Sequence, residues 1–201
     1  MNDLVVLVAD KEMQYALRGA LNRREALGIR KIRHDSFVHS GHDGGVRRTG
    51  PELLRMKRRT ATHALLLLDY EGSGSSVGAA ELEAELDHRL TSDWGDAAKA
   101  IVIEPELEAW VWGADNAMHA VLGWDKAESA REWLRQRGFQ FSTTGKPARP
   151  KEAFSALLRE ATLPRSAAVF EEIASRISLQ RCHDAAFGRL RQQLVCWFPG
   201  S

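Results

Sequence analysis

Of the 201 residues, two are cysteine and six are proline, and the net charge is only +1. No apolar run approaches the ~20 residues that a membrane-spanning helix needs. The opening Met1-Asn2-Asp3-Leu4 has no basic segment before its short apolar run, so it does not read as a secretion signal. Cys182 and Cys196 lie in one stretch of helical pattern, where fourteen residues span ~21 Å, too far for a bridge. They are expected to be reduced core thiols of a cytoplasmic protein. The absence of HExxH and CxxC spacing argues against zinc. No GxGxxG follows the first strand pattern and no GxxxxGK[ST] occurs anywhere, which speaks against a dinucleotide fold and an in-chain NTPase. Neither repeats nor low-complexity segments are present.

What is there is an ordinary globular composition, 44% hydrophobic and 27% charged. Leu4 to Val8 and Leu65 to Leu68 are uninterrupted apolar runs, suited to strands covered on both faces. Met13, Ala16, Leu17, Ala20 and Leu21 recur at helical spacing and predict a helix to about Leu27, closed by Gly28. Ile29 to His39 reads as a second strand, Ser40 to Gly45 as a loop, Pro51 to Arg59 as a helix, and Lys99 to Ile103 as a fourth strand. Ala79, Leu82, Leu86 and Leu90 form one helical stripe between the last two strands. Strand and helix patterns thus alternate four times in about 110 residues. This predicts an α/β fold: a mostly parallel sheet of about four strands with helices on both faces. After residue 113 only helical patterns follow, so residues 114–201 are expected to form a helical appendage packed on a core of residues 1–113.

Right-handed crossovers gather the C-terminal ends of parallel strands at one edge, where open α/β sheets hold their working groups. Three such ends carry acids: Asp10 and Glu12, then Asp69 and Glu71, then Glu104, Glu106 and Glu108. Asp69 and Glu71 are two apart, and an extended backbone would send both to the same face. Carboxylates held together repel, and Mg²⁺ or Mn²⁺ is the usual relief. Pro105 is able to open a helix, with Glu104 at its cap, Glu108 one turn on, and Glu106 pointing elsewhere. Glu104 and Glu108 are therefore expected as further metal contributors.

Basic residues surround these acids. Arg18 to Arg33, Arg47 to Arg59 and Arg131 to Lys151 hold six each against a single glutamate, whereas Asp69 to Asp93 holds seven acids and one arginine. An acidic patch amid basic segments suits a metal site serving a polyanion. Lys146, Arg149 and Lys151 sit between prolines, and Lys146 is expected to offset charge on a phosphate. His34, His39 and His42 are candidate ligands or proton carriers, with His42 or Asp43 at the rim of the site. The tryptophans at 110, 112, 133 and 197 read as core or interface anchors.

The segments Asp10-Lys-Glu12, Asp69-Tyr-Glu71 and Pro105-Glu-Leu-Glu-Ala-Trp110 together resemble the Toprim fold, and more closely the small Toprim-like proteins of bacterial anti-phage defence systems. The resemblance covers about residues 3 to 113. Toprim proteins usually carry a glutamate and glycine at the end of the first strand; Val8-Ala-Asp-Lys-Glu12 departs from this, so Asp10 or Glu12 takes that role. The resemblance implies Mg²⁺ held by Asp69 and Glu71, proton transfer by Asp10 or Glu12, and work beside an ATPase or another defence-system protein. The expectation is a Mg²⁺-dependent nuclease cleaving DNA or RNA. The alternative is a non-catalytic adaptor that docks on a larger complex through its helical half.

Overall fold

In the computed structural model, the described residues are all but Ala114, Thr144, Ser178, Gln180, Arg181, His183 and Ser201, with Gly113 and Asp115 described by backbone alone. The two apolar runs become neighbouring strands, β1 (Asn2–Val8) and β3 (Ala61–Asp69). With β2 (His34–Val38) and β4 (Ala98–Ile103) they form an all-parallel sheet of order β2-β1-β3-β4. Leu4 to Val8 and Leu65 to Leu68 are consecutive and at most 1% exposed, so both faces of the sheet are covered. Each such leucine contributes about 1.5–3 kcal/mol through burial. No helix among the described residues is long and apolar enough to cross a membrane.

Asp10 caps α1 (Lys11–Leu21) by accepting the Met13 N–H at 2.8 Å. A short α2 (Arg24–Leu27) follows and ends at Gly28, φ +83°, in the left-handed conformation that glycine adopts without strain. The second strand starts only at His34. Ile29 instead bridges antiparallel to Pro199.

The third helix departs further from expectation. Residues 42–45, expected as loop, are helical, and the helix expected from Pro51 starts earlier: α3 runs His42–Arg55. Its glycines serve packing rather than turning. A Cβ at Gly45 would strike the His39 ring, and one at Gly50 would lie 2.7 Å from Leu66 Cδ1. Pro51 sits inside this helix and leaves the Arg47 carbonyl without its usual N–H partner. Arg89 of α4 (Ala79–Trp94) fills the gap, donating Nη1 to Arg47 O at 2.6 Å and Nη2 to Arg48 O at 2.7 Å. Residues 56–59, expected as helix, are turns.

The free edge of β4 is capped by side chains. Ala100 N–H donates to Asp87 Oδ1 at 2.7 Å and Val102 N–H to Glu83 Oε2 at 2.8 Å, both acids on α4. Arg189 donates to Val102 O and pairs with Glu83, and Lys99 pairs with Asp87. Exposed strand edges invite pairing with other chains, and charged caps prevent it.

After β4 come α5 (Asp115–Leu122), α6 (Ala130–Gln136), α7 (Pro150–Glu160), α8 (Ala167–Arg176) and α9 (Ala185–Trp197). These helices share one hydrophobic core with the sheet. α8 lies along α1 so closely that a Cβ at Gly19 would be 2.6 Å from Glu171 O, and Arg18 pairs with Glu171 at the rim. Trp110, Trp112 and Trp133 are buried anchors and Trp197 is half-buried. Both cysteines are free thiols, but only Cys182 is partly buried; Cys196 is exposed rather than a core residue.

Candidate functional site

The chain leaves β1 toward β2 on one side and returns to β3 on the other, so the crevice between the ends of β1 and β3 is the topological switch point. Val8 is level with Leu67. Asp10 and Asp69, each two residues further, therefore come off adjacent strands at the same height. A third acid enters from the α3 N-terminus: Asp43 Oδ1 accepts the backbone N–H of Asp69 at 2.7 Å. The other Asp43 oxygen occupies the space where a Cβ at Gly72 would lie, so glycine there is a requirement of the site.

Burial and like charge shape the electrostatics. Asp69 as a residue is half-buried, but its Oδ1 is sealed from solvent and has no hydrogen-bond partner. Its carboxyl is held well above the usual range, first by burial and then by the charge of Asp43, with Glu108 and Asp10 adding to the push against a hydrogen bond from Leu107 N–H. Asp43 is raised likewise, chiefly by burial, with Asp10 contributing. Proteins do not leave an acid in this condition without compensation, and such groups gather at functional sites.

A cleft of about 520 Å³ opens beside this cluster, lined by Asp10, Lys11, Glu12, His42, Lys151 and Arg165 among others. Its lining thus mixes acids with cations. Arg165, from the α7–α8 connection, grips Glu12 through Nε (2.9 Å) and Nη2, and pairs with the buried Glu108 at 2.5 Å. Lys151, in the first turn of α7, pairs with Glu106 at 3.4 Å while its backbone N–H donates to the same carboxylate. Glu106 is raised by burial first and by Glu108 second.

The structure brings together some of the residues expected from sequence and separates others. Asp10, Asp69 and Glu108 converge, and Glu12 joins them through Arg165. Glu71 does not share a face with Asp69. The strand ends at Asp69, and Glu71 starts a 3₁₀ turn (Glu71–Ser73) that is anchored by Glu71 N–H on Pro105 O and leaves its side chain exposed. Pro105 opens no helix: its bond to Glu104 is cis, and a 3₁₀ segment begins only at Leu107. Glu104 is consequently exposed and lines the charged pocket along the β4 edge, whereas Glu106 and Glu108 are the buried pair. Lys146 lies in that same edge pocket, bound to the buried Asp184, so it does not face the switch point. His39 is used up structurally. Its Nδ1 accepts Gly41 N–H at 2.8 Å and its Nε2 faces Thr49 Oγ1 at 2.9 Å, and burial keeps it below its ordinary value. His34 is half-buried and likewise lowered by burial.

Asp43, expected at the rim, belongs to the centre; Lys151 comes from the basic segment singled out in the sequence, and Arg165 is the member that sequence reasoning missed. Asp43 carried a readable signal, being an acid shortly after a strand end. Arg165 carried none, since it is 153 residues from Glu12. Among the described residues, no group of three or more His, Cys, Asp or Glu side chains stands close enough to hold an ion as arranged. The orphaned Asp69 oxygen and the acids crowding it nevertheless have the chemistry of a hard-cation site. No family model, no curated protein and no solved structure matches the chain. Fold and site together define a parallel α/β protein with an acid cluster at its switch point.

Proposed function

We propose that the chain is a Toprim-like, Mg²⁺- or Mn²⁺-dependent phosphodiesterase acting on DNA or RNA. The observation that carries this reading is the convergence of Asp10 and Asp43 on the buried, partnerless carboxyl oxygen of Asp69. Asp69 and Asp43 are the residues that would hold the ion, with Glu108 behind them and Asp10 beside them. When bound, the ion supplies charge to polarise a phosphate oxygen and to lower the pKa of an attacking water. The chain's own contribution is positional. The Asp43 carboxylate fixes the end of β3, Asp10 is fixed by its capping bond, and Lys11 and Lys151, which line the cleft, offer cations to phosphate oxygens. Lys151 thereby takes the part expected of Lys146. Glu12 is committed to Arg165, which leaves proton handling at the cleft to Asp10. The resemblance in the Pro105 to Trp110 segment supports the same class and, with it, a role in bacterial defence beside a partner protein.

A second reading has its own observation. Arg165 neutralises Glu12 and Glu108 from within the chain, as expected of an adaptor whose acidic site has lost its catalytic use. Two measurements separate the readings. The enzyme requires calorimetric binding of Mg²⁺ or Mn²⁺, and cleavage of DNA or RNA that Asp69→Asn abolishes. Undiminished cleavage by Asp69→Asn rules the enzyme out, and absence of metal binding favours the adaptor.

A further inference from the structure

The opposite end of the sheet, where the parallel strands begin, carries the reverse charge. Arg30, Lys31 and Arg33 lead into β2. Arg55 closes α3, and Lys57, Arg58 and Arg59 lead into β3. Both runs surround the start of β1: Asp3 N–H donates to Arg33 O, and Asn2 N–H to Thr60 O. Acids here are fewer. Asp3 pairs with Arg30 and Asp93 with Arg55, and Asp35 and Asp96 are the remaining acids of these strand starts. Among the described residues Lys31, Arg33, Lys57, Arg58 and Arg59 have no carboxylate partner in an ion pair, and all but the half-buried Lys57 are exposed. Arg58 also donates Nε to Asp93 O at 3.2 Å and Asp3 accepts the Arg33 N–H at 2.8 Å, yet cations outnumber acids here, which costs self-repulsion.

Several of these cations are laid on aromatic rings. Arg58 lies 5.0 Å over Trp94, Arg30 5.3 Å over Phe198 and Lys57 5.4 Å over Phe37. Stacking of this kind orders long side chains before any partner arrives. Arg24, Arg30 and Lys31 also border a depression of about 430 Å³, with Glu25 as the one acid in its wall. His63, at the start of β3, is held below its ordinary value by burial; Asp3 pulls it up, and Arg30 and Arg58 push it down.

Spacing selects the partner. In the order β2-β1-β3 the starts of β2 and β3 are two strand spacings apart, about 10 Å. One phosphate cannot reach both runs, whereas a chain carrying a charge every few ångströms can. Arginine dominates, and its planar fork matches phosphate oxygens. An insertable apolar surface, which membrane attachment needs, is limited here to Met1 and Met56.

We infer that the N-terminal edge of the sheet, built from the Arg30–Arg33 and Lys57–Arg59 runs, is a docking surface for the phosphate backbone of a nucleic acid. It lies about 20 Å from the acid cluster, the length of the strands between, and holds the polymer without regard to sequence. It goes beyond the phosphodiesterase reading and does not depend on it, because binding here needs no metal and no cleavage.

The test is fluorescence anisotropy in EDTA with a labelled 20-base-pair DNA duplex and a 20-nucleotide single strand. Wild type and Asp69→Asn are expected to bind alike, with affinity falling steeply as salt rises. The exposed-residue triple Lys31→Glu/Arg33→Glu/Arg59→Glu is expected to bind at least tenfold more weakly while melting within a few degrees of wild type. The neutral pair Arg33→Gln/Arg59→Gln should fall between them. The inference is overturned if neither probe binds, if the triple binds as wild type does, or if vesicles containing phosphatidylserine are bound while the oligonucleotides are not. Loss of cleavage with retained anisotropy in Asp69→Asn would separate this surface from the acidic site.

Discussion

Asp43 and Asp69, 26 residues apart in sequence, are joined by a 2.7 Å hydrogen bond from the Asp69 backbone N–H to Asp43 Oδ1. The bond has two effects. It satisfies the last N–H of β3, and it brings a second carboxylate against one that is already buried. Asp43→Ala orphans that N–H and should lose about 1–2 kcal/mol of stability. Asp43→Asn keeps an acceptor at the same place and should stay close to wild type in a urea melt. If the two variants behave alike, the bond has no stabilising part. Gly72→Ala acts on the same contact from the other side, displacing the Asp43 carboxylate at a cost of about 1–3 kcal/mol.

Asp69 gives the fold a pH dependence of definite sign. Its carboxyl is raised well above the ordinary value by burial and by Asp43, so the folded state keeps a proton that the unfolded chain has released. Its contribution to stability is whole below the ordinary carboxylate range and is lost as pH rises through the raised value. Asparagine cannot ionise. Asp69→Asn should therefore be more stable than wild type at neutral pH without divalent ions, and the two should converge near pH 3. Urea titrations at a series of pH values check this, and a wild type that is the more stable at neutral pH refutes it. Under the metal reading, added Mg²⁺ should raise the wild-type melting temperature and leave the variant unmoved.

The parallel sheet could be read from sequence because Leu4–Val8 and Leu65–Leu68 have no polar face to leave in water. The acids at their ends followed from topology. Parity could not be read in the same way. Asp69 and Glu71 would share a face only if the strand continued, and Glu104 would point inward only if Pro105 opened a helix. The chain turns at Tyr70 instead and delays its 3₁₀ segment to Leu107, so Glu106 and Glu108 are buried in place of Glu104. Gly44 and Gly45 looked like loop residues, yet they lie in α3, where Gly45 is needed because His39 presses on the helix, as Gly50 is needed because of Leu66. Nothing local distinguishes a glycine needed for close packing from one needed for a turn. Arg165 belongs to the same class of hidden information, since its partners are set by how α7 and α8 pack.

Arg165 should prove a stability residue whatever the site does. Glu108 has a 2% exposed side chain, and its one cationic partner by ion pair among the described residues is Arg165. Removing the guanidinium leaves a buried charge uncompensated, which typically costs about 3 kcal/mol or more. Arg165→Met is expected to show that loss in chemical denaturation, and the double variant Arg165→Met/Glu108→Gln to recover most of it. A double variant no better than the single would mean that packing, rather than charge, holds the α7–α8 connection. In an active enzyme, the single variant should also change the divalent-ion affinity, because it frees Glu12 and Glu108 together.

Glu83 tests the capped edge of β4. Its carboxylate is 7% exposed as a residue, accepts Val102 N–H at 2.8 Å and pairs with Arg189 at 2.8 Å. Glu83→Ala uncaps the strand and strands the arginine, and the expected loss is about 2–4 kcal/mol. Glu83→Gln preserves the acceptor for Val102 and removes only charge, so it should lose less than half as much. The two variants should also part in solution behaviour. An uncapped edge strand pairs with other chains, so light scattering on warming should rise earlier for Glu83→Ala than for Glu83→Gln at matched stability. Equal scattering would show that α9, which crosses β4 through the Arg189 bond to Val102 O, shields the edge without help from the carboxylate.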